Sequence, residues 1–279
     1  MISRKASLVL LILLTVALAL VCCLLPRIPQ PQSYHNFADH RSFLGIPNFG
    51  DVASNLPFAV IGLWGLVFLQ LTNSNKTSEH FIDPRELWPY FFVFLGLLLT
   101  AFGSSYYHLN PNNATLVWDR LPMTITFMAM VAAVIVERIN VRLGLWLLPV
   151  LLVVGLSSVF QWYWSELQGA GDLRFYASVQ AYSALVILLG LLMPRRYTRT
   201  ADFGYVIGFY ALAKVLETFD KPIFAALHFV SGHTLKHLAA AAAGYCILRM
   251  VHLRRGEFRC WFPAETTLMP PKPAGRNLR

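Results

Sequence analysis

The sequence predicts an all-α, polytopic membrane protein, in which a seven-helix transmembrane body follows one additional N-terminal transmembrane helix. Three observations carry that reading. Hydrophobic residues make up 56% of the 279-residue chain and charged residues only 13%, too little polar surface for a soluble protein of this length. The mean hydropathy of +0.53 points the same way. Eight apolar runs have about the length a bilayer core demands, roughly 20 residues of helix with every backbone group paired inside the segment. The same composition excludes a disordered chain, and four cysteines are too few for a disulfide scaffold.

The first run, Ser7 to Leu25, follows Arg4 and Lys5. Its apolar stretch outlasts a signal-peptide core and no A-x-A cleavage site follows, so a retained helix is expected. Pro26 to Gln32 is a proline-rich linker that closes this N-terminal unit, residues 1–32. A polar segment, Ser33 to Asp51, opens the main body, residues 33–252. The runs Val52–Leu71, Leu87–Tyr107, Asp119–Val136, Leu143–Phe160, Leu173–Met193, Phe203–Phe219 and Gly232–Val251 supply its seven helices. The run from Phe203 is the weakest, because it carries Lys214 and Glu217; these are expected to pair with each other or with Lys236. Residues 253–279, basic with Trp261 and Phe262 and then proline-rich, read as a cytoplasmic tail touching anionic headgroups.

The net charge of +9 reads as topology, with no nucleic-acid partner expected. With the N-terminus cytoplasmic, sixteen Lys and Arg fall on the inner side and five on the outer, namely Arg27, Arg41, Arg120, Arg174 and Lys221. Both termini are therefore expected inside. Glu137 and Arg138 read as interfacial at the inner side, and Gln161 to Trp164 as an aromatic belt at the outer one.

Ionisable residues within spans are costly and mark function or buried pairs. Ser104 and His108 lie four apart at the outer end of one span, so they share a helical face. His233 and His237 repeat the spacing at the outer start of the last span, and Asp119 is expected to open another on the same side. Each has an ordinary explanation alone: Ser104 as a small packing residue, Asp119 as a helix N-terminal residue favoured by the dipole, and the histidines as partners of water or headgroups. Together they match a three-histidine site with an open position, the catalytic zinc pattern, in which zinc lowers the pKa of its water to about 7. Asp119 is then the candidate base, Ser104 a donor to a developing oxyanion or to the carboxylate, and His228 the substitute ligand.

Ser104-Ser-Tyr-Tyr-His108, Asp119 eleven residues on and His233-Thr-Leu-Lys-His237 resemble the S-x-x-x-H, D, H-x-x-x-H pattern of the alkaline ceramidase, adiponectin receptor and haemolysin III superfamily of seven-helix membrane hydrolases. The close spacing of His108 and Asp119, with the polar stretch Phe37 to Asn55, looks most like the alkaline ceramidases. The resemblance implies zinc on His108, His233 and His237, Asp119 and Ser104 as catalytic residues, and hydrolysis of ceramide or another long-chain N-acyl lipid to a sphingoid base and a fatty acid. It also implies an N-terminal calcium site, for which Asp39 and Asp51 are the only carboxylates in the stretch, with Asn48, carbonyls and water to add. Two carboxylates make a weak calcium site, and Arg41 is free to pair with Asp51 instead.

The rival from another class is a lipid-sensing, receptor-like protein in which the zinc is structural. A transporter would favour inverted repeats or paired broken helices, and the sequence has neither. The sequence therefore reads as a zinc-dependent lipid amidase with its site toward the extracytoplasmic side.

Overall fold

The computed structural model describes residues 2–74 and 80–256, which are helical with no β-strand. Its helices are α1 (Arg4–Leu24), α2 (Phe49–Ala53), α3 (Leu56–Ser74), α4 (Leu87–Leu109), α5 (Asn113–Arg138), α6 (Val141–Leu167), α7 (Arg174–Gly190), α8 (Asp202–Thr218), α9 (Asp220–Leu227) and α10 (Gly232–Leu253). Every apolar run forms a helix. Five stretches are long and apolar enough to cross a membrane: α1, α2 with α3, α4, α5 and α6. Helices α7 and α8 are shorter, at 17 residues each. The tail reading from residue 257 onward, with Trp261 and Phe262, and the inner-side Lys76 lie outside the described residues.

Neighbouring helices close a circuit. Helix α3 packs on α4, α4 on α5, α5 on α7, α7 on α8, α8 on α10, and α10 back on α3. Helix α6 lies outside the circuit against α5 and α7, and α1 lies outside against α7, where Thr15 donates to the Tyr182 hydroxyl at 3.2 Å. The outer face of α1, with Ile12, Leu13, Val16 and Leu20, is more than half exposed or nearly so, as suits a helix facing lipid.

The turn between α4 and α5 sets the position of Asp119. Asn112 caps α5 by accepting from the backbone of Ala114 and Thr115, while the Thr115 hydroxyl accepts from the Asn112 N–H, a capping box. The helix thus starts at Asn113, and Asp119 lies in its second turn rather than opening it. The dipole explanation for Asp119 loses its basis, because that effect fades within the first turn. Arg120 moves inward with it and is buried, so it is not an outer-loop charge.

The two ends of the circuit differ. At one end Arg196 donates to Glu86 at 2.7 Å, Tyr90 donates to Glu137 at 2.6 Å, and Arg254 pairs with Glu137. Glu137 and Arg138 are about 1–2% exposed, so at the end of α5 they are packed inside the protein. Arg254, arriving just beyond α10, supplies the counter-charge that makes burial of Glu137 tolerable. At the other end the segment after α1 folds across the helix ends. Leu173 N–H donates to the Ile28 carbonyl at 2.8 Å, and the His35 ring lies 2.8 Å from both the Tyr107 hydroxyl and Asn113 Oδ1. Of the expected aromatic belt, Trp164 is exposed, but Trp162 is fully buried under Arg120.

Candidate metal centre

His108 at the end of α4 meets His233 and His237 in the first turns of α10. One ligand nitrogen from each lies within 4.8 Å of the others, and the ring centroids form a near-equilateral triangle with sides of 4.9, 4.9 and 4.8 Å. Among the described residues this is the one such group of histidine, cysteine or carboxylate ligands. All three rings are buried.

Each histidine is held by different groups. His237 Nδ1 lies 3.1 Å from the Asp51 carbonyl and 2.8 Å from Ser54 Oγ. A carbonyl only accepts, so the proton sits on Nδ1, and the Nε2 lone pair is left for a metal. His233 is fixed through its backbone, whose N–H donates to Asp220 Oδ1 at 2.8 Å. Its Nε2 lies 3.3 Å from Lys236 Nζ, a contact that a metal on that nitrogen would replace. His108 is the most telling. Neither ring nitrogen has a hydrogen-bond partner, although the residue is 1% exposed. An unsatisfied buried polar atom costs about 1–3 kcal/mol, and a metal at the centre of the triangle removes that cost at one nitrogen. The donor set and this orphaned imidazole fit a metal ion with imidazole ligands; ligand type alone does not select zinc over iron, nickel or copper.

The polar segment before α2 roofs the site. Phe37 packs on His108 and His233 with centroids at 4.7 and 4.4 Å, and Asp220 Oδ2 accepts from Ala38 N–H at 2.8 Å. Asn48, in the left-handed region at φ 47°, donates to the His108 carbonyl at 2.8 Å and accepts from His40 at 3.3 Å. Asp39 is engaged by Arg41, with Nε to Oδ1 at 2.8 Å and Nη2 to Oδ2 at 2.7 Å. Arg41 therefore pairs with Asp39 and not with Asp51. These hydrogen bonds hold the Asp39 carboxyl below its usual range. Asp51 Oδ1 accepts from Thr234 at 2.8 Å and Ser231 at 3.3 Å. Asp39, Asp51 and Asn48 thus serve the roof and the start of α10, and among the described residues the two carboxylates join no three-ligand group.

Ser104 and Asp119 lie beside the triangle, both buried, with the Ser104 hydroxyl directed at the carboxylate. With His237 they line an apolar cavity of about 130 Å³ inside the helical circuit. Glu217 joins Lys214 and Lys236, each at 2.9 Å, so both expected pairings are made. His228 ends α9 in the left-handed region at φ 64°, with its ring toward the Ala226 carbonyl, and takes no part in the triangle.

Sequence reasoning missed Ser54, Asp220 and Phe37. Ser54 and Asp220 sit at helix boundaries, where a serine or aspartate ordinarily reads as a cap or turn residue. Phe37 was inside the segment singled out, but nothing in its pattern tells which rings it covers.

No protein-family model matches this chain, and no curated protein matches it significantly. Fold and site together define an all-helical protein, compatible with multiple membrane crossings, whose buried three-histidine cluster is able to hold a metal ion.

Proposed function

We propose that this chain is a zinc-dependent membrane amidase of the ceramidase-like superfamily, which hydrolyses ceramide or a related long-chain N-acyl lipid to an amine-bearing base and a fatty acid. The observation that carries the reading is the convergence of His108, with both ring nitrogens unsatisfied, His233 and His237 beside a buried serine and aspartate on the wall of one apolar cavity. Seven helices, α3 to α8 and α10, make the body, with α1 the added N-terminal crossing. The Lys and Arg distribution supports cytoplasmic termini and a site toward the other side.

The cavity suits a chain-bearing substrate. Leu97, Phe127, Met130, Ile187, Val206 and Ile247 offer an apolar wall to an acyl chain. A chain arriving from the bilayer exchanges lipid neighbours for this apolar wall, so packing and shape, not transfer from water, hold it and fix the amide at the polar end. His108, His233 and His237 would hold a zinc ion, which would supply a Lewis acid and a water of lowered pKa. Asp119 takes the proton from the attacking water and returns it to the amide nitrogen as the C–N bond breaks. Ser104 hydrogen-bonds the Asp119 carboxylate, holds it in place, and is the hydroxyl assigned to assist at the developing oxyanion. Phe37, with Phe58 against His237, keeps bulk water from the imidazoles and strengthens charge interactions there.

The test is fatty-acid release from a panel of ceramides by the purified protein. Asp119→Asn is expected to keep its metal and fold and to lose roughly 10²–10⁴-fold in rate. Zinc bound at the triangle without cleavage of any N-acyl lipid would overturn the amidase and leave a lipid-sensing, receptor-like protein with structural zinc.

A further inference from the structure

Adjoining the apolar cavity, and sharing Asp119, Met123, Gln180, Lys214, Glu217 and Lys236 with it, is a more polar chamber of about 180 Å³ that reaches Arg120, Tyr34 and Tyr176. Tyr34, Tyr176 and Gln180 provide hydroxyl and amide groups, and five charged side chains face it. Three are cations, Arg120, Lys214 and Lys236, against two anions, Asp119 and Glu217, so the lining carries one uncompensated positive charge. The two carboxylates do not use all the donors. Glu217 is engaged by Lys214 and Lys236 at 2.9 Å each and accepts from Tyr34 at 3.3 Å.

Arg120 is the donor left over. The residue is 5% exposed and its guanidinium is gripped by aromatic rings, with Trp162 at 4.1 Å and Tyr176 at 4.5 Å from ring centroid to Cζ. Nη2 donates to Gln30 Oε1 at 2.7 Å, whereas Nη1 is buried without a partner. A guanidinium held in place with a spare N–H on the wall of an electropositive chamber is organised to receive an anion, and carboxylate fits its planar fork best. A neutral ligand leaves the excess charge standing; a singly charged anion cancels it.

We propose that this chamber takes a carboxylate on the head of the lipid, so that the favoured substrates are N-acyl amino acids, with the carboxylate on Arg120, the amide at Asp119 and the chain in the apolar cavity. The assignment rests on the amidase reading for the position of the amide. Asp119 is one of six residues that line both chambers, so the two adjoin, and the amidase reading places the scissile bond at Asp119 on their shared boundary.

The experiment is equilibrium binding in detergent micelles with ligands that cannot be cleaved. The probes are the ketone isosteres of N-palmitoylglycine and N-palmitoylethanolamine, with CH2 in place of the amide N–H, together with palmitate. The keto acid is expected to bind the wild type at least about ten-fold more tightly than the neutral keto alcohol. The ratio should fall to about one in Arg120→Gln and survive in part in Arg120→Lys. Equal binding of the two isosteres by the wild type overturns the proposal whether or not Arg120→Gln folds. So does a preference that persists in a folded Arg120→Gln. Palmitate binding with the same Arg120 dependence would assign the chamber to the released fatty acid and overturn the headgroup assignment. Because the probes are not hydrolysed, failure here leaves ceramide cleavage to be judged separately, and a protein that cleaves nothing can still show the charge preference.

Discussion

A Cβ placed on Gly103 would lie 2.0 Å from the carbonyl oxygen of Trp118, so α4 and α5 meet backbone to backbone immediately before Ser104 and Asp119. Pro122 explains why that carbonyl is available. Proline has no N–H, so the Trp118 carbonyl loses its partner four residues on and turns to the neighbouring helix. Gly103→Ala is expected to force the helices apart and to lower stability by about 1–3 kcal/mol, with loss of hydrolysis because Ser104 and Asp119 separate. Gly204→Ala, with nothing within 4 Å of the added carbon, is the matched control and should be neutral or slightly stabilising. Melting temperatures of the two variants in detergent decide it.

Ser54 supports His237, one of the three clustered histidines. Its hydroxyl oxygen lies 2.8 Å from His237 Nδ1, where the Asp51 carbonyl also accepts at 3.1 Å. Ser54→Ala should leave the fold intact and weaken zinc binding toward the lower end of the 10–100-fold range typical of such partners, because the carbonyl still holds the ring. Competition with a chelator of known affinity measures it.

Glu217 neutralises two lysines. Glu217→Gln strands Lys214 and Lys236 among apolar helices, and a loss on the order of 2–4 kcal/mol is expected, below the figure for a fully buried pair because Lys214 is half exposed. A Glu217→Gln melting temperature equal to the wild type would refute the pairing.

Asp39 ties the roof to the turn before α10, because Arg41, which grips it, also donates to the Phe229 carbonyl at 2.9 Å. The folded-state pKa of Asp39 is lowered, so its contribution is complete above the unfolded-state pKa of about 3.9 and disappears as pH falls through the lower folded value. Asp39→Asn should therefore melt below the wild type at pH 7, and the gap should close in strong acid. A gap independent of pH would show that the carboxylate charge is not what Arg41 holds.

Much of this arrangement was legible in the sequence. The i, i+4 pair His233 and His237 had to share a helical face, and charge counting put His108 and Asp119 at the same end of the molecule. Helix positions followed from apolar length alone. What periodicity could not supply was depth: the Asn112 capping box moves the start of α5 ahead of Asp119 and buries Arg120. Glu137 and Arg254 are far apart in the chain, and a pair made only by tertiary packing leaves no local pattern. The Arg41 pairing was misassigned for a related reason, since Asp39 and Asp51 are both near it in sequence and only the fold turns Asp51 toward Thr234.

The most direct measurement is the metal content of the purified protein, by elemental analysis, for the wild type and for His108→Ala, His233→Ala and His237→Ala. About one zinc per chain is expected in the wild type and a loss in each variant, because three ligands with an open position cannot spare one. A wild type without metal after purification in zinc-containing buffer, or a His108→Ala protein that keeps its zinc, would contradict the account at its centre.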